Sequence, residues 1–332
     1  MSNVIRVAVI GAGNMGRHHI RNYSEIPETE LVAISDPNPA TQEIADKYGV
    51  SYFDNYVEMF NSCDIDAVSI VVPTPLHYQI ASEAISRSIH ILVEKPIASN
   101  AVEAEKLIEQ AQQAEVIFTV GHIERYNPVV KALKQLVDSG SLGDISSIIS
   151  KRLGGFPMNQ PKTDVIMDLA IHDIDIFNFL IGQTSSFIGV HGSRTFHSEE
   201  MDSAEILLSC NGVSGFMQAN WVTPVKIRRI SITGSKGFVE ADYITQEVVH
   251  YDANVSEGLG TFEEFVNQFS NPEKITVEVA KEEPLKQELT AFAAAINGDA
   301  SRLLVDPHNA LAALEIAMLA SEKLKNVELA HE

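Results

Sequence analysis

Over the first third of the chain, short apolar runs rich in β-branched residues alternate with longer stretches of helical spacing. Residues 4–10 (VIRVAVI) read as a strand that stops at Gly11, and helical periodicity begins at Met15. A second strand, 31–35, closes at Asp36-Pro37, and a helical segment over 40–48 runs up to Gly49. The rhythm continues with strands near 66–72, 90–93 and 116–120, separated by helices near 78–87 and 101–114. Strands that are apolar along their whole length, each followed by a helix, predict a parallel sheet covered on both faces.

After Gly121 the pattern changes. A helix over 128–138, a strand over 145–152, a Gly-Pro-rich loop and a helix over 165–181 lead into a run of strands near 187–194, 204–209, 215–221, 227–233, 238–243 and 247–251. Their short, turn-like connections predict antiparallel pairing. Two helices, 285–296 and 308–324, close the chain, and the weakly periodic segment 254–272 is assigned no element. The fold class expected is α/β: a doubly wound parallel sheet over residues 1–121, then an α+β domain over 122–332 with a large, mainly antiparallel open sheet.

Composition agrees with two ordinary domains, since 332 residues with 45% hydrophobic side chains exceed the roughly 100–200 of one domain. Charge narrows the partners. With 24 Lys and Arg against 45 Asp and Glu the net charge is −21, and so acidic a surface repels nucleic-acid backbones and anionic membranes. It does not exclude a phosphorylated metabolite, because a local basic cluster is screened from distant charges beyond about 8 Å. The two cysteines, Cys63 and Cys210, are too few for a disulfide framework and too far apart for a CxxC site, which fits a reducing cytoplasm. No apolar run is read as approaching the ~20 residues of a membrane helix, and no secretory signal opens the chain.

Gly11-Ala12-Gly13-Asn14-Met15-Gly16 matches GxGxxG between a strand and a helix. That context suits a dinucleotide, whose pyrophosphate approaches the glycine backbone at a helix N-terminus. Asp36 lies 20 residues beyond Gly16, at the end of the second strand. Its carboxylate can accept from both adenosine ribose hydroxyls and would repel a 2′-phosphate, so NAD is expected over NADP; the other reading of Asp36 is a helix N-cap.

Glu94-Lys95-Pro96 ends the fifth strand, and the carboxyl ends of parallel strands are where such sheets bind ligands. A lysine there can stabilise an alkoxide or relay its proton, or be a solvated surface cation. Asp168 and His172 are four residues apart, one helical face, and make either an acid–base pair or a brace. Asp173 and Asp175 beside His172 raise a metal site, which is not expected on so apolar a helix. Lys226, Arg228 and Arg229 form the densest basic cluster, suited to a diphosphate or to guarding a strand edge. Arg125, Tyr126 and Asn127 follow the sixth strand, where they can offer hydrogen bonds to sugar or cofactor.

The glycine turn, Thr74-Pro75-x-His77, Glu94-Lys95-Pro96, Asp168-x3-His172 and Glu283-Pro284-Leu285 together resemble the glucose-fructose oxidoreductase/inositol dehydrogenase (Gfo/Idh/MocA) family over nearly the whole chain. The resemblance implies NAD bound by Gly11, Gly13, Asn14, Met15, Gly16, Asp36, Thr74, Pro75, His77, Glu94 and Lys95. It also implies a cis bond before Pro96, and Lys95, Asp168 and His172 meeting beside the nicotinamide with no metal. Within the family, residues 121–128, 154–157, 164–175 and 221–229 are similar to a subgroup that oxidises C3 of UDP-N-acetylglucosamine.

That subgroup implies a nucleotide-sugar substrate held by Arg125, Tyr126, Asn127, Lys226 and Arg228. His172 takes the proton, Lys95 stabilises the alkoxide and Asp168 orients them, the roles of Lys95 and His172 being exchangeable. Two rivals stand beside it: a dehydrogenase of a free polyol or sugar such as inositol, and a non-catalytic nucleotide- or sugar-sensing regulator. Pairing through the open sheet into a homodimer or homotetramer is implied as well.

Overall fold

The computed structural model describes residues 3–155, 163–196, 200–252 and 274–329. They fall into two compact units: Met1–Tyr126 with Glu282–Glu315, and Asn127–Lys281 with Ile316–Glu332. The chain thus returns to the first unit, where the linear reading placed one boundary at 121/122. The return follows from packing, because Leu285, Leu289 and Phe292 are buried in one cluster with Ile5, Val7, Val9, Ile20 and Tyr23.

Unit 1 is built on β1 (Ile5–Ile10), α1 (Asn14–Glu25), β2 (Thr29–Ser35), α2 (Gln42–Tyr48), β3 (Ser51–Phe53), α3 (Tyr56–Ser62), β4 (Ala67–Ile70), α4 (His77–Ser86), β5 (His90–Glu94), α5 (Ala101–Gln113) and β6 (Phe118–Gly121). The six strands lie in the order β3-β2-β1-β4-β5-β6 and every pair is parallel. This is the Rossmann order, with its reversal between β1 and β4. The short β3 and α3 escaped the periodicity reading, since elements of three and seven residues are too short to show a period.

Unit 2 contains α6 (Pro128–Asp138), β7 (Ile145–Leu153), α7 (Ile171–Ile181), β8 (Ser186–Ser193), β9 (Ser203–Cys210), β10 (Val213–Asn220), β11 (Ile227–Gly234), β12 (Gly237–Asp242), β13 (Glu247–Asp252) and β14 (Lys274–Val277). Helices α8 (Pro284–Ile296) and α9 (Pro307–Leu329) close the chain. The eight strands run β14-β13-β12-β11-β7-β10-β9-β8, antiparallel except for the parallel β7–β10 pair. Helix α7 packs on β7 and β10, and α6 on β12 and β13.

Strand alternation sends Ile148, Ser150 and Arg152 to the buried side and leaves Ile149 exposed. Ile149 stands in register with Phe216, and Phe216 with Leu207, so three exposed apolar side chains form one cross-strand row.

Most of the weakly periodic segment 254–272 lies outside the described residues. One reading is corrected: the stretch Ala300–Lys325 is long and apolar enough to cross a membrane by length and composition. Its Ala310, Ala313, Leu314, Ala317, Ala320 and Leu324 are buried against protein, as in a core helix.

Candidate active site

In unit 1 the glycine turn leaves β1 with the shape a dinucleotide needs. Gly11 has φ +93°, and a Cβ on it would lie 2.3 Å from the Val71 carbonyl oxygen. A Cβ on Gly16 would meet the Gly11 carbonyl oxygen at 1.9 Å, whereas one on Gly13 would meet nothing within 4 Å. The outer glycines therefore hold turn, helix and β4 end together, and the backbone at Gly13 is open to an approaching anion. Asn14 opens α1 at this turn and is exposed, and Met15 is half-buried against the core.

Asp36 closes the site from β2. Its Oδ2 accepts from the Ala12 backbone N–H at 2.7 Å, and its Oδ1 from the Asn38 N–H at 2.8 Å. Each oxygen retains a second lone pair for a ribose hydroxyl. The residues present thus fit NAD.

Thr74 and Pro75 form one turn of 3-10 helix ahead of α4, which His77 begins. The buried His77 ring has Nδ1 2.9 Å from the Pro96 carbonyl oxygen and Nε2 2.9 Å from that of Val72. Burial lowers its pKa despite those carbonyls, so the neutral ring donates to one of them at a time and ties the β4 end to the β5 end. The Lys95-Pro96 bond is cis, as expected. Lys95 is half-buried, and its backbone N–H donates to Glu94 Oε2 at 3.1 Å. Glu94, assigned to the cofactor by resemblance, turns its other carboxylate oxygen to His19 at 3.1 Å.

Arg125 and Tyr126 are buried in unit 1. Arg125 Nη1 donates to the Leu304 carbonyl and to Asn309 Oδ1, and the Tyr126 hydroxyl accepts from the Leu304 N–H at 3.0 Å. Position after β6 did not reveal this brace on the returning segment. In unit 2, Asn127 is the N-cap of α6, accepting from the Val129 N–H at 3.1 Å and donating to the Tyr243 carbonyl.

Asp168 lies in a π turn, Ile166–Ala170, where a regular α-helix was expected. The Ile171 N–H bonds back to Ile166 O, and Asp164 Oδ1 accepts from the Met167 N–H at 2.9 Å. The wider turn adds a residue between Asp164 and α7, so Asp168 and His172 are not one ordinary α-helical turn apart. Such turns are frequent at functional sites. Both residues are half-buried.

Asp173, next to His172, takes a bidentate ion pair from Arg152 on β7, Nε to Oδ2 at 2.9 Å and Nη2 to Oδ1 at 3.0 Å. This pair accounts for one of the two acids that raised a metal site. Among the described residues no group of three His, Cys, Asp or Glu side chains could hold a metal ion. Arg152 also stacks over Tyr243 at 5.5 Å.

Arg228 is the register partner of Arg152 across β11–β7 and so shares its sheet face. Its Nη1 donates to the carbonyls of Leu153 and Ile227, and a Cβ on Gly154 would be 4.0 Å from its terminal nitrogens. Arg229 points to the other face and pairs with Asp242 at 3.1 Å, while Lys226 is exposed in the β10–β11 connection. Alternation thus divides the basic cluster. Arg152 and His19 were both missed. A charged residue on the inward phase of ISSIISKRL, and a histidine on the Ile20/Tyr23 face of α1, were the available signals.

Residues 5–122 match the model of an oxidoreductase family with an NAD-binding Rossmann fold (Gfo/Idh/MocA), and residues 130–240 match the Gfo/Idh/MocA C-terminal domain. The chain belongs to the Gfo/Idh/MocA family. It is an NAD-binding oxidoreductase, which sets aside the non-catalytic regulator. The chain is 29% identical over 297 residues to the UDP-N-acetylglucosamine 3-dehydrogenase of Acidithiobacillus ferrooxidans, covering 88% of each chain. A solved structure of a protein of that name from the same organism superposes with TM-score 0.83 at 26% identity, over 97% of this chain and 98% of the other. The myo-inositol 2-dehydrogenase of Thermotoga maritima is 27% identical over 259 residues, 74% of this chain and 77% of that one. This Gfo/Idh/MocA chain is therefore similar to enzymes named for both nucleotide-sugar and free-polyol substrates.

Proposed function

We propose that this family member oxidises the C3 hydroxyl of UDP-N-acetylglucosamine to a 3-keto sugar nucleotide. The observation that carries the reading is the placement of Arg228. It shares a sheet face with Arg152, whose bidentate partner Asp173 is joined to His172. A cation for a diphosphate, on β11, and a base for a hydroxyl, at the start of α7, thus both belong to unit 2, on elements that each neighbour β7. A free polyol needs the base but not the cation, and the similarity to the Acidithiobacillus ferrooxidans enzyme points the same way.

When bound, the nicotinamide supplies a hydride acceptor. The chain's residues manage the proton. His172 accepts it from the hydroxyl, Lys95 stabilises the developing alkoxide, and Asp168 orients the two. Lys226 and Arg228 hold the diphosphate. Arg125, Tyr126 and Asn127 act by shaping the chain around the site, because their side chains are engaged on Leu304, Asn309, Val129 and Tyr243. The functional species is a homodimer or homotetramer joined through the Ile149, Phe216 and Leu207 face.

The test is a panel of UDP-sugars and free polyols with NAD, read by NADH absorbance. Turnover of UDP-N-acetylglucosamine with little on inositol supports the reading; the reverse order overturns it. Lys95→Ala and His172→Ala are each expected to lower kcat by about 10² or more at nearly constant NAD affinity. The double variant should be little worse than the worse single one, because both serve one proton transfer. Full activity in His172→Ala removes it from the mechanism.

A further inference from the structure

Lys95 leaves β5 just beyond the last ladder pair, Glu94 with Gly121. Its backbone N–H is taken by the carboxylate of the preceding residue, Glu94 Oε2, at 3.1 Å. The second oxygen, Oε1, lies 3.1 Å from Nε2 of His19, a fully buried ring on α1, the helix that the glycine turn opens. Burial pushes the Glu94 carboxyl up, but His19 and Lys95 outweigh it and hold the group below the usual carboxylate range. Glu94 is thus an ionised acceptor, and His19 Nε2 carries the hydrogen. His19 Nδ1 has no hydrogen-bond partner among the described residues, so the bond to Glu94 is the ring's polar anchor.

The carboxylate is confined from a third side. A Cβ on Gly121 would lie 2.9 Å from Glu94 Cδ and 3.0 Å from each carboxylate oxygen. Helix α1, strand β6 and the peptide of Lys95 therefore meet on one side chain. A lysine has a long flexible stem, so the position of its ammonium depends on how firmly its backbone is held, and a misplacement of about 1 Å can cost 10²-fold in rate.

We propose that His19 is a positioning residue: through Glu94 it fixes the backbone of Lys95 to the helix that carries the cofactor-binding turn. The inference rests on the reading of Lys95 as catalytic. It adds an acting residue outside the glycine turn and the Glu94-Lys95-Pro96 segment, and it assigns Gly121 the task of leaving room for the carboxylate.

Three variants test it, with UDP-N-acetylglucosamine as substrate, NADH affinity from nucleotide fluorescence, and Tm. His19→Leu removes the donor. His19→Gln returns an N–H near the Nε2 position. Gly121→Ala keeps both partners of the pair, but its Cβ presses on Glu94 Cδ and both carboxylate oxygens and so displaces the carboxylate from His19 and the Lys95 N–H. His19→Leu and Gly121→Ala should lower kcat by about 10- to 100-fold with NADH affinity nearly unchanged, and His19→Gln should recover most of the loss. Wild-type kcat in His19→Leu or Gly121→Ala, with Lys95→Ala inactive, overturns the positioning role and leaves the reading of Lys95 standing. A loss of kcat that parallels lost NADH binding and lowered Tm, without recovery in His19→Gln, also overturns it, in favour of a structural brace. Full kcat in Lys95→Ala overturns both.

Discussion

Asp36 is expected to set the cofactor preference, and the structure separates its two tasks. One task is mechanical, since its oxygens hold the N–H groups of Ala12 and Asn38 at 2.7 and 2.8 Å. The other is electrostatic. A 2′-phosphate in place of the ribose hydroxyl would bring a charge of about −1.5 to −2 near the carboxylate. At about 5 Å and an effective dielectric of 40 to 80 the repulsion is about 1–3 kcal/mol, and the lost hydroxyl bond to a charged acceptor adds about 1.5–3 kcal/mol. The total of about 2.5–6 kcal/mol predicts NAD favoured over NADP by about 60-fold or more.

Asp36→Ala removes both tasks, but the loosened turn weakens both cofactors alike and cancels in their ratio. Asp36→Asn keeps a carbonyl oxygen for Ala12 and loses the charge, so it should narrow the NAD/NADP ratio toward about tenfold with a smaller loss on NAD. The assay is fluorescence titration with NADH and NADPH, which needs no substrate. Tighter NADPH binding by the wild type, or an unchanged ratio in Asp36→Asn, refutes the electrostatic account.

Replacing Lys226 or Arg228 with alanine should raise KM for the UDP-sugar more than it lowers kcat, because a diphosphate is bound in ground and transition state alike; equal losses on a free sugar would point to misfolding. Asp173→Ala removes the bidentate carboxylate from the buried Arg152 and should cost about 3–5 kcal/mol in denaturant unfolding, while Arg152→Met with Asp173→Leu should cost less than either single change; a double variant as unstable as the sum contradicts this. His90 Nδ1 accepts from the Ile117 N–H at 2.9 Å and burial lowers its pKa against the pull of Asp66, so its neutral form stabilises the fold. That contribution is complete above pH ~6.5 and declines by at most about 1.4 kcal/mol per pH unit below it; His90→Asn, which keeps an acceptor near Nδ1, should flatten the Tm profile between pH 7.5 and 5.5. For the proposed pairing through the Ile149, Phe216 and Leu207 face, a shift toward monomer in Phe216→Lys by sedimentation velocity is expected, and an unchanged sedimentation coefficient contradicts it.

What could be read from the chain alone follows from the range of the forces involved. The β1–Gly11–α1 turn was legible from its glycine spacing between a strand and a helix, and Asp36 from its fixed distance along one strand–helix–strand unit, although the contacts that hold them, Gly11 against Val71 and Asp36 with Ala12, are not local. The alternation of β11 is local, yet it divides Lys226, Arg228 and Arg229 between a connection and two sheet faces, which a count of basic residues conceals. The π turn at Asp168 depends on an extra residue before α7, and hydrophobic spacing does not resolve one residue in a turn. Arg152–Asp173 and His19–Glu94 are bonds across 21 and 75 residues.

Both pairs share a logic that a linear reading can still use. Each unites a charged or polar residue on an inward phase of one element with an acid beside a proposed catalytic group on another. A buried charge is costly without a partner, so an inward Arg or His obliges the fold to provide a carboxylate. In this chain the carboxylates so provided are Glu94 and Asp173, each the immediate chain neighbour of Lys95 or His172. Holding the neighbour restrains the backbone of the reactive residue, and this predicts that both pairs govern kcat through geometry. Asp173→Asn, which keeps the shape and weakens the ion pair, should then lower kcat in the folded fraction by about tenfold or more while KM changes little. A KM effect with constant kcat would instead assign the Arg152–Asp173 pair to substrate binding.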